Sequence, residues 1–351
     1  MNRILEEDAR NVVNQDIPWE KLRNKTVMVT GASGMIGSYL VRTLVMLNEM
    51  KHMNVHVIGV VRNAKKVEKE IAEASCVEII CHDVTQPMKL EQDVHYVIHA
   101  ASPASPVIMK DDPVGTVAAN TLGAFYTLSL AREKNAEGYM FVSSREIYGQ
   151  PGPDQEMFTE DTYGFVDPLD PRSCYPEGKK AAETMCASFR AQYGLRAMAA
   201  RPAHTYGPGM SIYDGRVQAD FLKNIIFNEN IIMKSEGAAV RTYTYISDVV
   251  SGMFHALLKG NALAYNMADE RAKVSIRELA ELLIRITPER KLKLELQIPE
   301  GGTKGCAPFT LGILDSSRLR GLGWAPQYTI EEGFRRMIDY LEIEKEAGRL
   351  R

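Results

Sequence analysis

A tyrosine and a lysine stand four residues apart in SCYPEGKKAAETM, at Tyr175 and Lys179. On a helix that spacing puts both on one face. A lysine ammonium beside a phenol lowers the phenol's pKa, and the tyrosinate so formed can take a proton from a sugar hydroxyl. The same lysine can hold a nicotinamide ribose while hydride leaves the hydroxyl-bearing carbon for that cofactor. Taken alone, the pair is common by chance. Here it lies about thirty residues beyond MFVSSREIYG, a hydrophobic run ending in Ser143, Ser144, Arg145 and Glu146. A charge at a buried strand tip is costly unless something uses it.

A second chemical feature lies upstream, in VTGASGMIG. Gly31, Gly34 and Gly37 follow an apolar β-rich run and lead into a helical pattern. The glycines allow a tight turn, so backbone N–H groups from Gly31 through Ser33, Gly34, Met35, Ile36 and Gly37 can approach a pyrophosphate at a helix N-terminus. The spacing is GxxGxxG rather than GxGxxG. An acidic residue closing the next strand would accept the ribose hydroxyls of NAD. This chain instead reads Val60, Val61, Arg62, Asn63 there. Arg62 either meets a 2′-phosphate, which points to NADP, or is a solvated surface arginine. Asp83, after the third strand, is placed to contact the adenine edge.

These residues need a scaffold. Apolar runs at 26–31, 55–61, 77–83, 94–102, 137–144 and 195–203 alternate with helical stretches, notably 113–134 and 175–193. Continuous β-branched runs between helices argue a parallel sheet covered on both faces, an α/β doubly wound fold of Rossmann type. Residues 1–24 read as an N-terminal extension that Pro18 and Trp19 dock on the body, and 25–203 as the dinucleotide-binding domain. Residues 204–351 read mainly as a smaller substrate-binding lobe, with some segments returning to the first domain; the Gly/Pro-rich 298–312 lies within it.

Composition bounds the function. The 351 residues are 45% apolar and 25% charged with a net charge of −3, which makes no case for nucleic acid or an anionic membrane as partner. The start, MNRILEEDAR, has no apolar core of a signal peptide, and the best apolar run, near 35–47, is broken by Arg42. Cys76, Cys81, Cys174, Cys186 and Cys306 form no CxxC pair, and the histidines show no metal-ligand spacing. The expectation is a cytoplasmic protein without a metal.

Taken with HDVTQP, HAASPAS, NTLGA, DPLDPRSCYPEGKKAAETMC, GPGMSIYDGRV and RTYTYISDVVSG, these motifs resemble the extended short-chain dehydrogenase/reductases of the NAD-dependent epimerase/dehydratase family. Within it the likeness is greatest to the UDP-glucuronate decarboxylase (UDP-xylose synthase) branch. It covers roughly 26–255, and LGWAP with TIEEGF extends it to about 335. The resemblance implies a nucleotide-sugar substrate, a bound NAD(P), oxidation at the sugar C4, and a homodimer built on a four-helix interface. By position it implies cofactor contacts from Val84, Ala100, Ala101, Ser102, Asn120 and Ser143 beside those above, with Tyr175 and Lys179. Ser144 would bond the sugar O4 beside Tyr175, and Glu146 would face C5 and C6. Ser102, Arg145, His204, Arg216 and Arg241 would contact substrate.

Three positions depart from the pattern. Dehydratases carry an acid where this chain has Arg145, and an arginine cannot protonate a departing hydroxyl. Decarboxylases carry a small polar residue there. Arg145 therefore either holds an anionic substituent or points into solvent. The RPxNxYGPR motif reads RPAHTYGPG, so His204 replaces asparagine, as a substrate contact or a satisfied core histidine, and Gly209 replaces arginine. The chemistry left open beside decarboxylation is 4-epimerisation or NADPH-dependent reduction of a 4-keto sugar, and more remotely a non-catalytic NAD(P) sensor or scaffold.

Overall fold

The computed structural model describes residues 2–152, 154–298 and 311–350. Cys306 and most of the 298–312 stretch lie outside the described residues. In chain order the elements are α1 (Arg3–Val13), β1 (Thr26–Thr30), α2 (Met35–Lys51), β2 (His56–Val61), α3 (Lys69–Ala72), β3 (Val77–Cys81) and β4 (Tyr96–His99). Then come α4 (Pro106–Asp111), α5 (Pro113–Glu133), β5 (Gly138–Val142), α6 (Cys174–Tyr193), β6 (Ala197–Pro202), β7 (His204–Tyr206), α7 (Val217–Phe227), β8 (Ile231–Met233) and β9 (Val240–Tyr245). The last are α8 (Ile246–Lys259), β10 (Ala264–Met267), β11 (Lys273–Ser275), α9 (Ile276–Ile286), β12 (Leu294–Leu296), β13 (Leu311–Gly312), α10 (Ser317–Arg320) and α11 (Ile330–Glu346).

The large sheet is parallel throughout, in the order β10-β6-β5-β4-β1-β2-β3. Its strands are apolar at nearly every position because both faces are covered. Val27 and Val29 of β1 join the core under α1, α2 and α8, while Met28 joins the core under α5 and α6. The six strands read from the sequence are present, and the structure adds β10 beside β6. Strand order reverses between β1 and β4, the switch point where ligands of such sheets bind.

Beyond β6 the chain builds a second sheet on β9, which pairs β7 and β13 in parallel and β11 antiparallel. The N-terminal helix ties these parts together. Asp8, fully buried, accepts Tyr39 of α2 at 2.8 Å, Tyr245 of β9 at 2.7 Å and Arg336 of α11 at 2.7 Å. Trp19 is buried against Phe254 of α8. Among the described residues no helix is long and apolar enough to cross a membrane, and no cluster of His, Cys, Asp or Glu is disposed to hold a metal.

Candidate active site

The glycine turn between β1 and α2 is closed to side chains. Gly31 has φ +68°, and a Cβ there would lie 2.8 Å from Ala101 Cα and 2.9 Å from the Ala100 carbonyl. A Cβ on Gly37 would lie 2.1 Å from the Gly31 oxygen. Gly34 caps α2 without any side-chain bond, so the N–H groups of its first turn are left to a ligand. Opposite, Ala100 and Ala101 extend β4, and the Ala101 N–H bonds Thr30 Oγ1 at 3.2 Å. Thr30 in turn meets His99 Nδ1 at 2.7 Å. Burial and the charge of Lys179 push the His99 imidazole down to about 3, so it stays neutral. A loop shaped by main-chain approach rather than side chains fits a dinucleotide pyrophosphate.

Arg62 is exposed just past β2, and no carboxylate closes that strand. Asp83 stands close enough for the Arg62 charge to act on it. Its carboxyl accepts the Thr85 N–H and hydroxyl, both at 2.9 Å, and these bonds hold it below the usual range. Val84 is buried, and the Ser102 hydroxyl turns to the Pro103 carbonyl at 3.3 Å. Asn120, buried on α5, donates to the Thr116 carbonyl at 2.9 Å, while its Oδ1 has no partner. It packs against Gly178, next to Lys179.

Tyr175 and Lys179 share the inner face of α6. The Lys179 ammonium donates to the Val142 carbonyl at 2.7 Å and lies 4.7 Å over the Phe141 ring and 5.4 Å over that of Tyr175. Burial pulls it down to about 7. The expected effect of Lys179 on Tyr175 is not what this arrangement produces. The phenol is pushed up to about 12, first by burial and then by the Glu146 charge, and the relief comes from a hydrogen bond with Ser144 and from Arg216 and Arg172. Lys179 is aimed at the strand carbonyl, not at the phenol oxygen.

A single-turn 3-10 helix, Arg145–Tyr148, carries the other groups off the tip of β5, with Ser144 accepting the Glu146 N–H at 3.2 Å. Glu146 is held by Arg172, whose Nη2 lies 2.9 and 3.1 Å from the two carboxylate oxygens. Arg145 is 5% exposed, which removes the reading that it points into solvent. Its pKa falls to about 10, mainly by burial and also through Arg241 and Arg172, with Glu146 opposing. His204 is partly satisfied, through a hydrogen bond with the Thr242 backbone. Its Nδ1 is buried without a partner, and burial with the charges of Arg145, Arg241 and Arg216 holds it well below its ordinary value. Arg241 is buried on β9, and Arg216 caps α7 beside Asp214 at 3.2 Å.

Ser143, expected at the cofactor, gives its hydroxyl proton to Glu183 at 2.5 Å. That bond opens a buried network the sequence did not reveal. Glu183 pairs with Arg201 at 2.6 Å, Arg201 reaches the Tyr148 hydroxyl at 2.8 Å, and Tyr148 donates to Asn266 of β10 at 2.6 Å. The network fixes the Ser144–Glu146 turn to the sheet edge. Arg172 and Gly312 were also missed. Arg172 lies within PRSCY, but nothing in its spacing assigns it to a carboxylate 26 residues away.

With this geometry in place the class is defined: a doubly wound dinucleotide-type fold with Ser144, Tyr175 and Lys179 gathered at the end of β5. The chain belongs to the NAD dependent epimerase/dehydratase family, whose model matches residues 27–268. It is 32% identical over 340 residues to UDP-glucuronic acid decarboxylase 1 of Xenopus tropicalis, covering 92% of this chain and 74% of that one. It is 33% identical over 311 residues to UDP-glucuronic acid decarboxylase 6 of Arabidopsis thaliana, covering 88% and 87%. Among solved structures it resembles UDP-glucose 4-epimerase of Thermotoga maritima with UDP-glucose (TM-score 0.77, 24% identity, 92% and 99% covered). It also resembles UDP-glucuronic acid 4-epimerase of Bacillus cereus with UDP-glucuronic acid and NAD (TM-score 0.75, 21% identity, 90% and 98% covered). These structural likenesses carry the fold. The chain is an NAD-dependent enzyme of this family.

Proposed function

We propose that the chain decarboxylates UDP-glucuronate through a 4-keto sugar, using one bound NAD for both halves of the reaction. The observation that carries this reading is the likeness to the decarboxylases over about nine-tenths of the chain, joined to a strand tip where Ser144, Glu146 and Tyr175 meet and no acid stands at position 145 to expel a hydroxyl. When bound, NAD accepts hydride from C4 and returns it. In its ionised form the Tyr175 oxygen takes the O4 proton, Ser144 orients that hydroxyl, and Lys179 holds the ribose side of the site. Oxidation at C4 places a ketone β to the C6 carboxylate. The C5–C6 bond can then break, CO₂ leaves with the electron pair staying at C5, and the enolate takes a proton at C5. Glu146, held by Arg172, is the acidic group assigned to that end of the sugar.

The cofactor reading is NAD, in keeping with the family the chain belongs to, and the Asp83 carboxylate, close enough to feel the Arg62 charge, would disfavour a further phosphate beside it. A 4-epimerase that keeps the carboxylate is the second reading, favoured by Arg145. Mass analysis of products from a nucleotide-sugar panel, with and without NADPH, tests both. UDP-glucuronate should give a UDP-pentose with no NADPH requirement; a UDP-hexuronate product would establish epimerisation, and NADPH dependence a reductase.

We assign the assembly as a homodimer. α5 buries Ala124, Leu128 and Ala131 on its own sheet, yet exposes Val114, Leu122 and Phe125 on the far side, where Phe125 meets Phe189 of α6 edge-on. A partner's copy of these helices would cover that face; light scattering giving one chain's mass, 39.2 kDa, would remove the assignment. The free Cys76, Cys81, Cys174 and Cys186 suit a reducing compartment such as the cytoplasm.

A further inference from the structure

Among the described residues, two polar atoms of the second sheet are buried without a hydrogen-bond partner, His204 Nδ1 and the Tyr243 hydroxyl. His204 of β7 and Tyr243 of β9 are register partners in a parallel pair, so both side chains stand on one face, their rings 5.6 Å apart. The next tyrosines along that face are satisfied. Tyr206 donates to the Ile330 carbonyl at 3.2 Å, and Tyr245 to Asp8 at 2.7 Å. Tyr243 is 1% exposed, so water does not make good its missing bond. A buried polar group left unpaired costs free energy, and a ligand that pairs it recovers that cost.

The two atoms offer opposite roles. The bond between His204 and the Thr242 main chain raises the histidine pKa, so the ring donates and a carbonyl accepts. Nδ1 has no partner, so the donor is Nε2–H and Nδ1 carries the lone pair. Burial and the nearby arginine charges keep the ring neutral, which leaves Nδ1 an acceptor. Burial also pushes the Tyr243 phenol up, so it keeps its proton and donates. A hydroxyl satisfies both groups, accepting from Tyr243 and giving its own proton to His204. A carboxylate has no proton for the imidazole, and an ammonium cannot accept from the phenol. The pair borders the reaction centre. A Cβ built on Gly312 of β13 would lie 3.2 Å from His204 Cε1 and 3.4 Å from Arg145 Nη1, in the turn that carries Glu146 beside Ser144. The missing side chain at 312 lets the imidazole reach that turn.

We propose that His204 and Tyr243 form a hydroxyl subsite that fixes the sugar nucleotide by one of its hydroxyl groups, Tyr243 donating to the oxygen and His204 Nδ1 accepting the proton. The proposal rests on the nucleotide-sugar reading above and adds a determinant of substrate choice. On that reading the 4-hydroxyl belongs to Ser144 and Tyr175. The occupant is therefore the 2- or 3-hydroxyl of the hexose or a hydroxyl of the ribose.

The test is calorimetric binding to NAD-loaded Tyr175→Phe protein, so that turnover does not consume the ligand. UDP-glucuronate is compared with its 2-deoxy and 3-deoxy hexose forms and its 2′-deoxy and 3′-deoxy ribose forms, which separates the two sources. Loss of a hydroxyl that pairs two buried groups predicts binding about 10- to 100-fold weaker for one of these forms. Adding Tyr243→Phe should cut the penalty for that form by about threefold or more and leave the other penalties unchanged. The same change removes an unpaired phenol oxygen, so the ligand-free protein should melt no lower than its parent. No deoxy form weakened beyond about threefold in the Tyr175→Phe parent overturns the subsite, whatever Tyr243→Phe does. Penalties that Tyr243→Phe leaves unchanged, or alters all alike, overturn it too. A ligand-free Tm lowered by about 2 °C or more also overturns it and assigns the phenol to the fold. Binding of none of the five ligands sinks the nucleotide-sugar reading itself.

Discussion

Replacing Lys179 by methionine should abolish turnover and make the protein more stable. The side chain is 2% exposed, and burial lowers its pKa from 10.5 to about 7. That drop corresponds to about 5 kcal/mol against the charged form at pH below 7. Methionine keeps the length of the stem and removes the charge. It also strips the Val142 carbonyl of its donor at 2.7 Å, a loss of about 1–3 kcal/mol. The net gain at pH 6 is about 2–4 kcal/mol, a Tm rise of roughly 3–5 °C for a chain of this length. The sign of the pH dependence follows from the depressed pKa. Between pH 7 and about 10 the unfolded chain holds a proton on Lys179 that the folded chain does not, so wild-type stability rises with pH across that window. The advantage of Lys179→Met is therefore largest below pH 7 and shrinks toward pH 10. Differential scanning fluorimetry of both proteins from pH 6 to pH 10 measures it. A lower Tm for the variant at pH 6, or a difference that does not change with pH, would refute the reasoning.

Three further outcomes follow from particular contacts. Gly37→Ala puts a methyl 2.1 Å from the Gly31 oxygen, a backbone atom with little room to yield, so stability should fall by about 1–3 kcal/mol and NAD affinity by tenfold or more, read by calorimetry. Asp8→Ala leaves Arg336 without its buried partner and separates α1 from α2, β9 and α11; a loss of about 3 kcal/mol is expected in urea unfolding. Tyr175→Phe should fold and bind NAD normally while losing turnover by several orders of magnitude; retention of more than about a tenth of the wild-type rate would remove it as the proton acceptor.

The parts of the site that sequence made legible are those carried by local spacing. The glycine turn, the Tyr175–Lys179 face and the strand tip at Ser143–Glu146 each lie within one short segment. What escaped was long-range. β10, AYNM, is four residues with a polar asparagine, and only its place beside β6 and its bond from Tyr148 mark it as a strand of the large sheet. The Arg172–Glu146 pair joins two loops, the Asp8 clasp joins residues more than 300 positions apart, and Gly312 matters through the side chains it lets in. Electrostatics was legible least of all. Placing Lys179 four residues from Tyr175 says nothing of the Val142 carbonyl that draws the ammonium away, nor of the burial that pushes the phenol up.

The central claim, that hydride leaves C4 and comes back within one turnover, is tested most directly with UDP-glucuronate carrying deuterium at C4. The account predicts release of one CO₂ per substrate, a UDP-pentose that retains the deuterium, and no net change in NAD. Replacement of the label by hydrogen when unlabelled NADH is added, or formation of a labelled product without CO₂, would contradict it.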